Sequence, residues 1–361
     1  MMISRCVTAA LCLLGPLTCV LHAASINGEA TFISFLVPGA IRGTYPLSIN
    51  AAMTVTGYFI PSSAGPNAFV RAQDGTITVF GVPKASSTIP ISINAAGTIT
   101  GFYELTPYDS HCFLRYAEGH IINCDPPAAQ GESYVRVSAV SINDFGEIAG
   151  NYVANNQTYF FTRTSDGVYK TQVSFATLTA PSAINASGSV AGFATDDNGS
   201  YIGFVVHPDG YSVTFSVPLP PPTGPGCVAA TIPDGINAAG AIAGWYYNRC
   251  AQVNQGFVRS PEGVLTLWDS PGVIFAESPQ AFDIFAPHWI SIDAAGDITG
   301  SYIDMSGLEH GFVRNVYGTI TGFDPPEGTY TNPTSINDSG MITGFYEFKS
   351  GGLTVGFIRV P

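Results

Sequence analysis

Two short stretches of this chain place a carboxylate beside an imidazole: Tyr108, Asp109 and His111 in one, Asp304, Glu309 and His310 in the other. A carboxyl group and a histidine held together can exchange protons near neutral pH or contribute ligands to a metal ion. Neither stretch has dense ligand spacing such as His-x-x-x-His, so no metal ligand is assigned and the plainer reading is solvated loop polarity. A third stretch, Ser270 to Trp289, carries Phe275, Asp283, Phe285, His288 and Trp289. An exposed aromatic set with one acid and one histidine suits carbohydrate or peptide binding; the alternative is that these rings pack the long loop onto the body. Pro218 to Gly226 reads as a stiff Pro-Gly connector. No phosphate-cradling Gly-Lys motif, Gly-x-Ser-x-Gly elbow or haem Cys-x-x-Cys-His occurs, so no catalytic residue and no cofactor is assigned.

The elements that must position these groups are written repeatedly. Four phrases recur in fixed order. Ser-Ile-Asn-x-x-Gly appears as Ser92-Ile93-Asn94-Ala95-Ala96-Gly97, and its Asn position recurs at Asn50, Asn94, Asn143, Asn185, Asn237, Asp293 and Asn337. Next come a Gly-aromatic phrase (Ile99-Thr100-Gly101-Phe102-Tyr103), then Gly-Phe-Val-Arg (Gly256-Phe257-Val258-Arg259), then an alternating run ending aromatic-x-x-Pro (Ile77 to Phe80 and Pro83). Each phrase is short, rich in Ile, Val, Thr and aromatics, and bounded by Gly, Asn or Pro, which is how strands read. Successive Asn positions lie 44, 49, 42, 52, 56 and 44 residues apart, a length that suits a four-stranded propeller blade. The expectation is an all-β, seven-bladed β-propeller of four-stranded antiparallel blades, one domain over 25–361. The seventh copy has no fourth phrase after Arg359, and Thr31 to Phe35 followed by Pro38 carries that ending. The N-terminal strand is therefore expected to complete the last blade and cover a free sheet edge.

Composition agrees. The 361 residues include 40 Gly, 26 Pro and 46% hydrophobic residues against only 11% charged, which excludes a disordered chain or a coiled coil. With 13 Lys+Arg against 26 Asp+Glu the net charge is -13, which argues against a nucleic-acid partner. Arg5, the apolar run Cys6 to Leu21 and the small residues Ala23 and Ala24 have the order of a secretory signal peptide, placed at 1–24. No other stretch is long and apolar enough to span a membrane. Cys6, Cys12 and Cys19 would leave with this leader, so four cysteines remain, an even number in an exported chain. In the hairpin of the second repeat, 113 faces 123 and 114 faces 122, which sets Cys112 opposite Cys124; the turn at Asn237 to Gly240 sets Cys227 opposite Cys250. Both pairs are expected as disulfides.

Residues repeated in every blade are poor candidates for a unique active site. Asn and Gly of Asn-x-x-Gly are expected to close a tight hairpin, looser in the first copy where Met53 replaces Gly. The Gly of the second phrase, at positions 57, 101, 150, 192, 244, 300 and 344, is expected where neighbouring blades crowd. The Arg of the third phrase, at 71, 115, 163, 259, 314 and 359 with Val206 as the exception, is expected to stack or hydrogen-bond between blades.

These phrases, with His111-Cys112-Phe113 and His310-Gly311-Phe312 as variants, resemble the bacterial extracellular repeat called after its His-Ala-Phe triplet, over nearly the whole mature chain. The resemblance implies an exported propeller similar to the WD-repeat-like ones, without an assigned activity. Connections between strands two and three, and from strand four to the next blade, vary in length and emerge on one face, the expected ligand face. The leading expectation is a monomeric binding or scaffold module for an extracellular or periplasmic glycan or protein. The alternative is a carbohydrate-active hydrolase or lyase, which needs two carboxyl groups about 5–9.5 Å apart; Asp109, Asp283, Asp304 and Glu309 are the residues to measure.

Overall fold

The computed structural model describes residues 21–23, 30–61, 65–107, 109–127, 136–154, 157–172, 179–218, 229–248, 250–251, 253–272, 290–348 and 352–361. The described residues are all-β, and no helix among them is long and apolar enough to cross a membrane. Their strands fall into seven four-stranded antiparallel units, the blades of a propeller. The innermost strands, in order, are Gly43–Ile49, Ser87–Ile93, Val137–Ile142, Thr179–Ile184, Ala229–Ile236, Ile290–Ile292 and Gly328–Ile336. Together they line a central cavity of about 160 Å³. The fourth and fifth blades are also joined by one parallel bridge, Tyr201 to Ala230.

The last blade closes as its sequence implies. Thr31–Phe35 pairs antiparallel with Val355–Val360, Thr31 opposite Val360 and Phe35 opposite Gly356. Leu21–Ala23, inside the expected leader, adds a further strand outside Thr31–Phe35. The apolar interior lies between blades. The Phe of the third phrase is fully buried at Phe69, Phe113, Phe161, Phe204, Phe257, Phe312 and Phe357, and each such ring removed from water contributes about 2–3 kcal/mol.

The Asn of the first phrase does two jobs, one of them not expected. Its Oδ1 accepts from the backbone N–H four residues on, as in Asn94 with Thr98 at 2.9 Å, which closes the hairpin. Its Nδ2 reaches the next blade and donates to the backbone carbonyl of that blade's Asn position. These bonds run from Asn50 to Asn94, Asn94 to Asn143, Asn143 to Asn185, Asn185 to Asn237, Asn237 to Asp293 and Asn337 to Asn50, at 2.9–3.1 Å. A second ring lies beside it: Ser48, Ser92, Ser141, Ser291 and Ser335 accept from the N–H of the following blade's Ile, at 3.2–3.4 Å.

Two expectations are corrected. The Gly of the second phrase does not mark a crowded contact between blades. A Cβ at Gly57 would lie 2.2 Å from the carbonyl oxygen of Tyr45, and one at Gly101 2.1 Å from that of Ile89, both on the innermost strand of the same blade. That strand bulges just there, between Pro46 and Ser48 or Pro90 and Ser92, and the bulge turns its backbone onto the neighbouring strand. Nor is the first hairpin looser. Met53 adopts φ 58, and the bonds from Met53 N to Asn50 O (3.1 Å) and Asn50 N to Thr54 O (3.0 Å) are intact. The tertiary ring forces the turn, and Met53 carries the strain of the left-handed region instead.

The Arg expectation stands. Arg71, Arg115, Arg259, Arg314 and Arg359 lie over Phe35, Phe80, Phe215, Trp268 and Phe323, the fourth-strand aromatic of the preceding blade, at 4.7–5.7 Å from the ring centre. Arg163 follows the blade in which Cys124 replaces that aromatic, and it covers Tyr169 of its own blade instead. The Nε atoms of all six arginines are buried without an acceptor, so ring and carbonyl contacts hold these guanidinium groups rather than acids.

Candidate functional site

The second and sixth blades each build an imidazole between two carboxylates, on the face of the variable connections. The strand Asp109–Arg115 carries His111, and the strand Glu309–Arg314 carries His310. His111 Nδ1 lies 2.7 Å from Asp125 Oδ2, and its Nε2 lies 3.4 Å from Asp109 Oδ1. His310 repeats this, 2.7 Å from Asp324 Oδ2 and 3.3 Å from Asp304 Oδ2. A tyrosine covers each imidazole: Tyr103 stacks on His111 at 5.2 Å and Tyr302 tilts against His310 at 5.4 Å.

Electrostatics follow from these contacts. Burial works against the charged form of His310, but the hydrogen bonds and charges of Asp324 and Asp304 outweigh it and raise its pKa. The hydroxyl of Ser306, the backbone N–H of Leu308 and the His310 contact hold the Asp304 carboxyl well below the ordinary range. Asp304 therefore acts like the Asn of the inner hairpins, capping the turn from Asp304 to Gly307. Burial, with the negative charges of Asp324 and Asp304, raises the Tyr302 hydroxyl. The arrangement can hold a proton on His310, and in both blades it ties strand three to strand four.

Asp125 and Asp324 were missed by sequence reasoning although their signal was present. Each directly follows the fourth-strand aromatic position, in Cys124-Asp125 and Phe323-Asp324. Trp268-Asp269 follows the same rule, and Asp269 accepts from Gln255 Nε2 at 2.6 Å where the other two blades have histidine. A group that recurs in three blades with a His or Gln partner belongs to blade construction before it belongs to a unique site.

Among the carboxylates to be compared, Asp304 and Glu309 lie in the sixth blade and Asp109 in the second, while Asp283 lies outside the described residues. Tyr108, Phe275, Phe285, His288 and Trp289 also lie outside them. No group of three or more His, Cys, Asp or Glu among the described residues is arranged to hold a metal ion. Cys112 and Cys124 form a disulfide at a Cα separation of 5.2 Å. They stand where other blades put a Gly beneath the aromatic; at Gly256 a Cβ would lie 2.0 Å from the Trp268 ring. Cys250 is disulfide-bonded as well, and Cys227, expected opposite it, lies outside the described residues.

A smaller cavity of about 50 Å³ opens between the third and fourth blades. There the fourth-strand aromatic is replaced by Gln172 and the Arg by Val206, so the seam lacks its latch. Arg163, Lys170, Glu147 and His207 line the gap.

No family model matches the chain, and no curated protein does. Among solved structures it is similar to virginiamycin B lyase from Staphylococcus aureus, at 16% identity over 92% of this chain and 100% of that one, with a TM-score of 0.58. That lyase is also known as a catalytically inactive histidine-to-alanine variant with quinupristin. The β-propeller domain of the Trilobed protease from Pyrococcus furiosus, described as having an open velcro topology, is similar at 8% identity over 88% of this chain and 95% of that one, with a TM-score of 0.56. Puromycin hydrolase is similar at 13% identity over 91% of this chain and 56% of that one, with a TM-score of 0.51. At these identities the likeness identifies the fold: this chain is a β-propeller.

Proposed function

We propose that the protein is an exported binding or scaffold module that takes an extracellular glycan or protein on the face of the variable connections. The observation that carries this reading is the use made of the reactive side chains. The Arg groups latch blades, the Asn and Ser groups ring the channel, and the His–Asp pairs tie strands three and four in more than one blade. Chemistry repeated around a ring serves the ring, whereas the connections on one face differ from blade to blade and are free to specify a ligand. The leader at 1–24 and the cysteine pairing support export.

The test is a glycan and peptide array probed with the purified mature protein, followed by calorimetry on any hit and a turnover assay on the same compounds. Saturable binding without turnover supports the reading. Turnover of a bound glycan would replace it with the hydrolase or lyase alternative, and a folded protein that binds nothing on either array would remove it.

A further inference from the structure

Near the variable face, the seams between the fourth, fifth and sixth blades are filled with apolar side chains. Phe193 and Trp245, from the second strands of the fourth and fifth blades, share one buried cluster with Ile232 and Ile290 of the blades that follow them. At the seam between the sixth and seventh blades, the position of Phe193 and Trp245 is Ser301, the position of Ile232 is Asn332, and Glu309 stands between them. Ser301 Oγ donates to Glu309 Oε1 at 2.6 Å, and Asn332 Nδ2 donates to the same oxygen at 2.9 Å. Ser301 and Asn332 are buried, at 3% and 7% exposure, and Glu309 is partly buried. Burial raises the Glu309 carboxyl against the pull of both hydrogen bonds.

Three polar groups where neighbouring seams hold rings and aliphatics cost stability that blade packing does not require. Their free valences point to a ligand. No described residue donates to Glu309 Oε2 or to Asn332 Oδ1, so two acceptors remain on partners that are themselves held in place. Phe345 is the cross-strand neighbour of Asn332. Its ring meets Tyr45 edge-on at 5.2 Å, and Tyr45 stacks on Tyr58 at 4.8 Å. All three rings are partly exposed, so a row of apolar ring surface leads away from the acceptors into the next seam.

We infer that Glu309, Asn332 and the Phe345–Tyr45–Tyr58 row form a subsite for one ring of a neutral carbohydrate. Adjacent hydroxyls donate to Glu309 Oε2 and Asn332 Oδ1, and the aromatic row takes the apolar face of the sugar. Ser301 positions the carboxyl. The assignment rests on the binding-module reading and names its ligand class and its place.

The probe is a neutral oligosaccharide array, with calorimetry on the best hit against wild type, Glu309→Ala, Glu309→Gln and Phe345→Ala. The Glu309→Ala and Phe345→Ala variants are expected to bind at least about tenfold more weakly. In Glu309→Gln the amide oxygen takes the Oε1 place facing Ser301 and Asn332, and the amide nitrogen takes the Oε2 place and donates to the sugar hydroxyl, so binding is expected to stay within a few-fold of wild type. Wild-type affinity should change with pH as the carboxyl titrates, whereas Glu309→Gln should be flat; this comparison also decides the matter if Glu309→Ala does not fold. Wild-type affinity in folded Glu309→Ala and Phe345→Ala, or the same pH profile in wild type and Glu309→Gln, overturns the subsite and leaves the binding reading in place. Failure of folded wild type to bind any glycan overturns the carbohydrate assignment itself.

Discussion

Asp293 occupies the one Asn position of the ring that has no amide hydrogens to donate. Its Oδ1 accepts from Asp297 N at 2.8 Å, as the Asn residues do at their turns, and it is buried at 4% exposure. Its other oxygen therefore takes the place from which an Asn would donate to the Asn337 carbonyl. Burial raises its carboxyl, and the nearby Asp297 charge raises it further; Asp338 of the next blade, which accepts from Ala294 N, adds no positive charge. A raised folded-state pKa means that this position is most favourable below the ordinary aspartate range and loses stability as pH climbs through the folded value. Asp293→Asn restores the donor, so thermal melts at pH 7 should show a gain of about 1 kcal/mol that vanishes at acidic pH. A second residue-scale prediction concerns Lys84, exposed at φ 71 in a turn after Pro83, where Ala85 N bonds to Val82 O. Lys84→Gly should stabilise the protein by about 1 kcal/mol in urea melts, because only glycine takes that conformation without strain. The aspartate was visible in the sequence as an odd letter in a repeat, but its cost was not, because the bond it fails to make crosses to another blade.

At the level of strands and blades, the latch is the unit of construction: an Arg over an aromatic of the preceding blade. Arg115→Ala should lower stability by about 2 kcal/mol in chemical denaturation, from lost ring contact and lost packing of the side-chain stem. The seam between the third and fourth blades lacks both partners, since Gln172 and Val206 stand in their places, and Phe160 instead stacks on Phe204 at 5.5 Å. Val206→Arg alone should therefore fail to stabilise. It finds no aromatic at the latch position of the preceding fourth strand, where Gln172 stands and Tyr169 is already covered by Arg163, and it would enter a cavity already lined by Arg163 and Lys170. Melting temperatures of Val206→Arg and Arg115→Ala measured together test whether the latch needs its ring. The existence and order of these strands were legible from short apolar phrases. The bulge before Ser-Ile-Asn was not, because a bulge leaves the phrase unchanged and alters only what its backbone faces.

For the molecule as a whole, the pairing of Thr31–Phe35 with Val355–Val360 joins the two ends of the chain and removes the edge that the last blade would otherwise expose. A protein shortened past Phe35 should lose cooperative unfolding and aggregate in light-scattering melts at temperatures where the full chain stays soluble. The disulfide between Cys112 and Cys124 closes a loop with a sequence separation of 12, so its reduction should cost on the order of 3 kcal/mol. The sequence by itself determined the repeat, the strand content, the N-terminal completion of the last blade, the latch arginines and the register that opposes Cys112 to Cys124. All of these follow from local periodicity or from spacing within one hairpin. Tertiary structure alone decided the inter-blade role of the Asn ring and the meeting of Ser301, Glu309 and Asn332 across a seam. Those contacts join separate strands, and most join separate blades. Such pairing is set by how neighbouring strands and blades twist and pack, which no single stretch of sequence encodes.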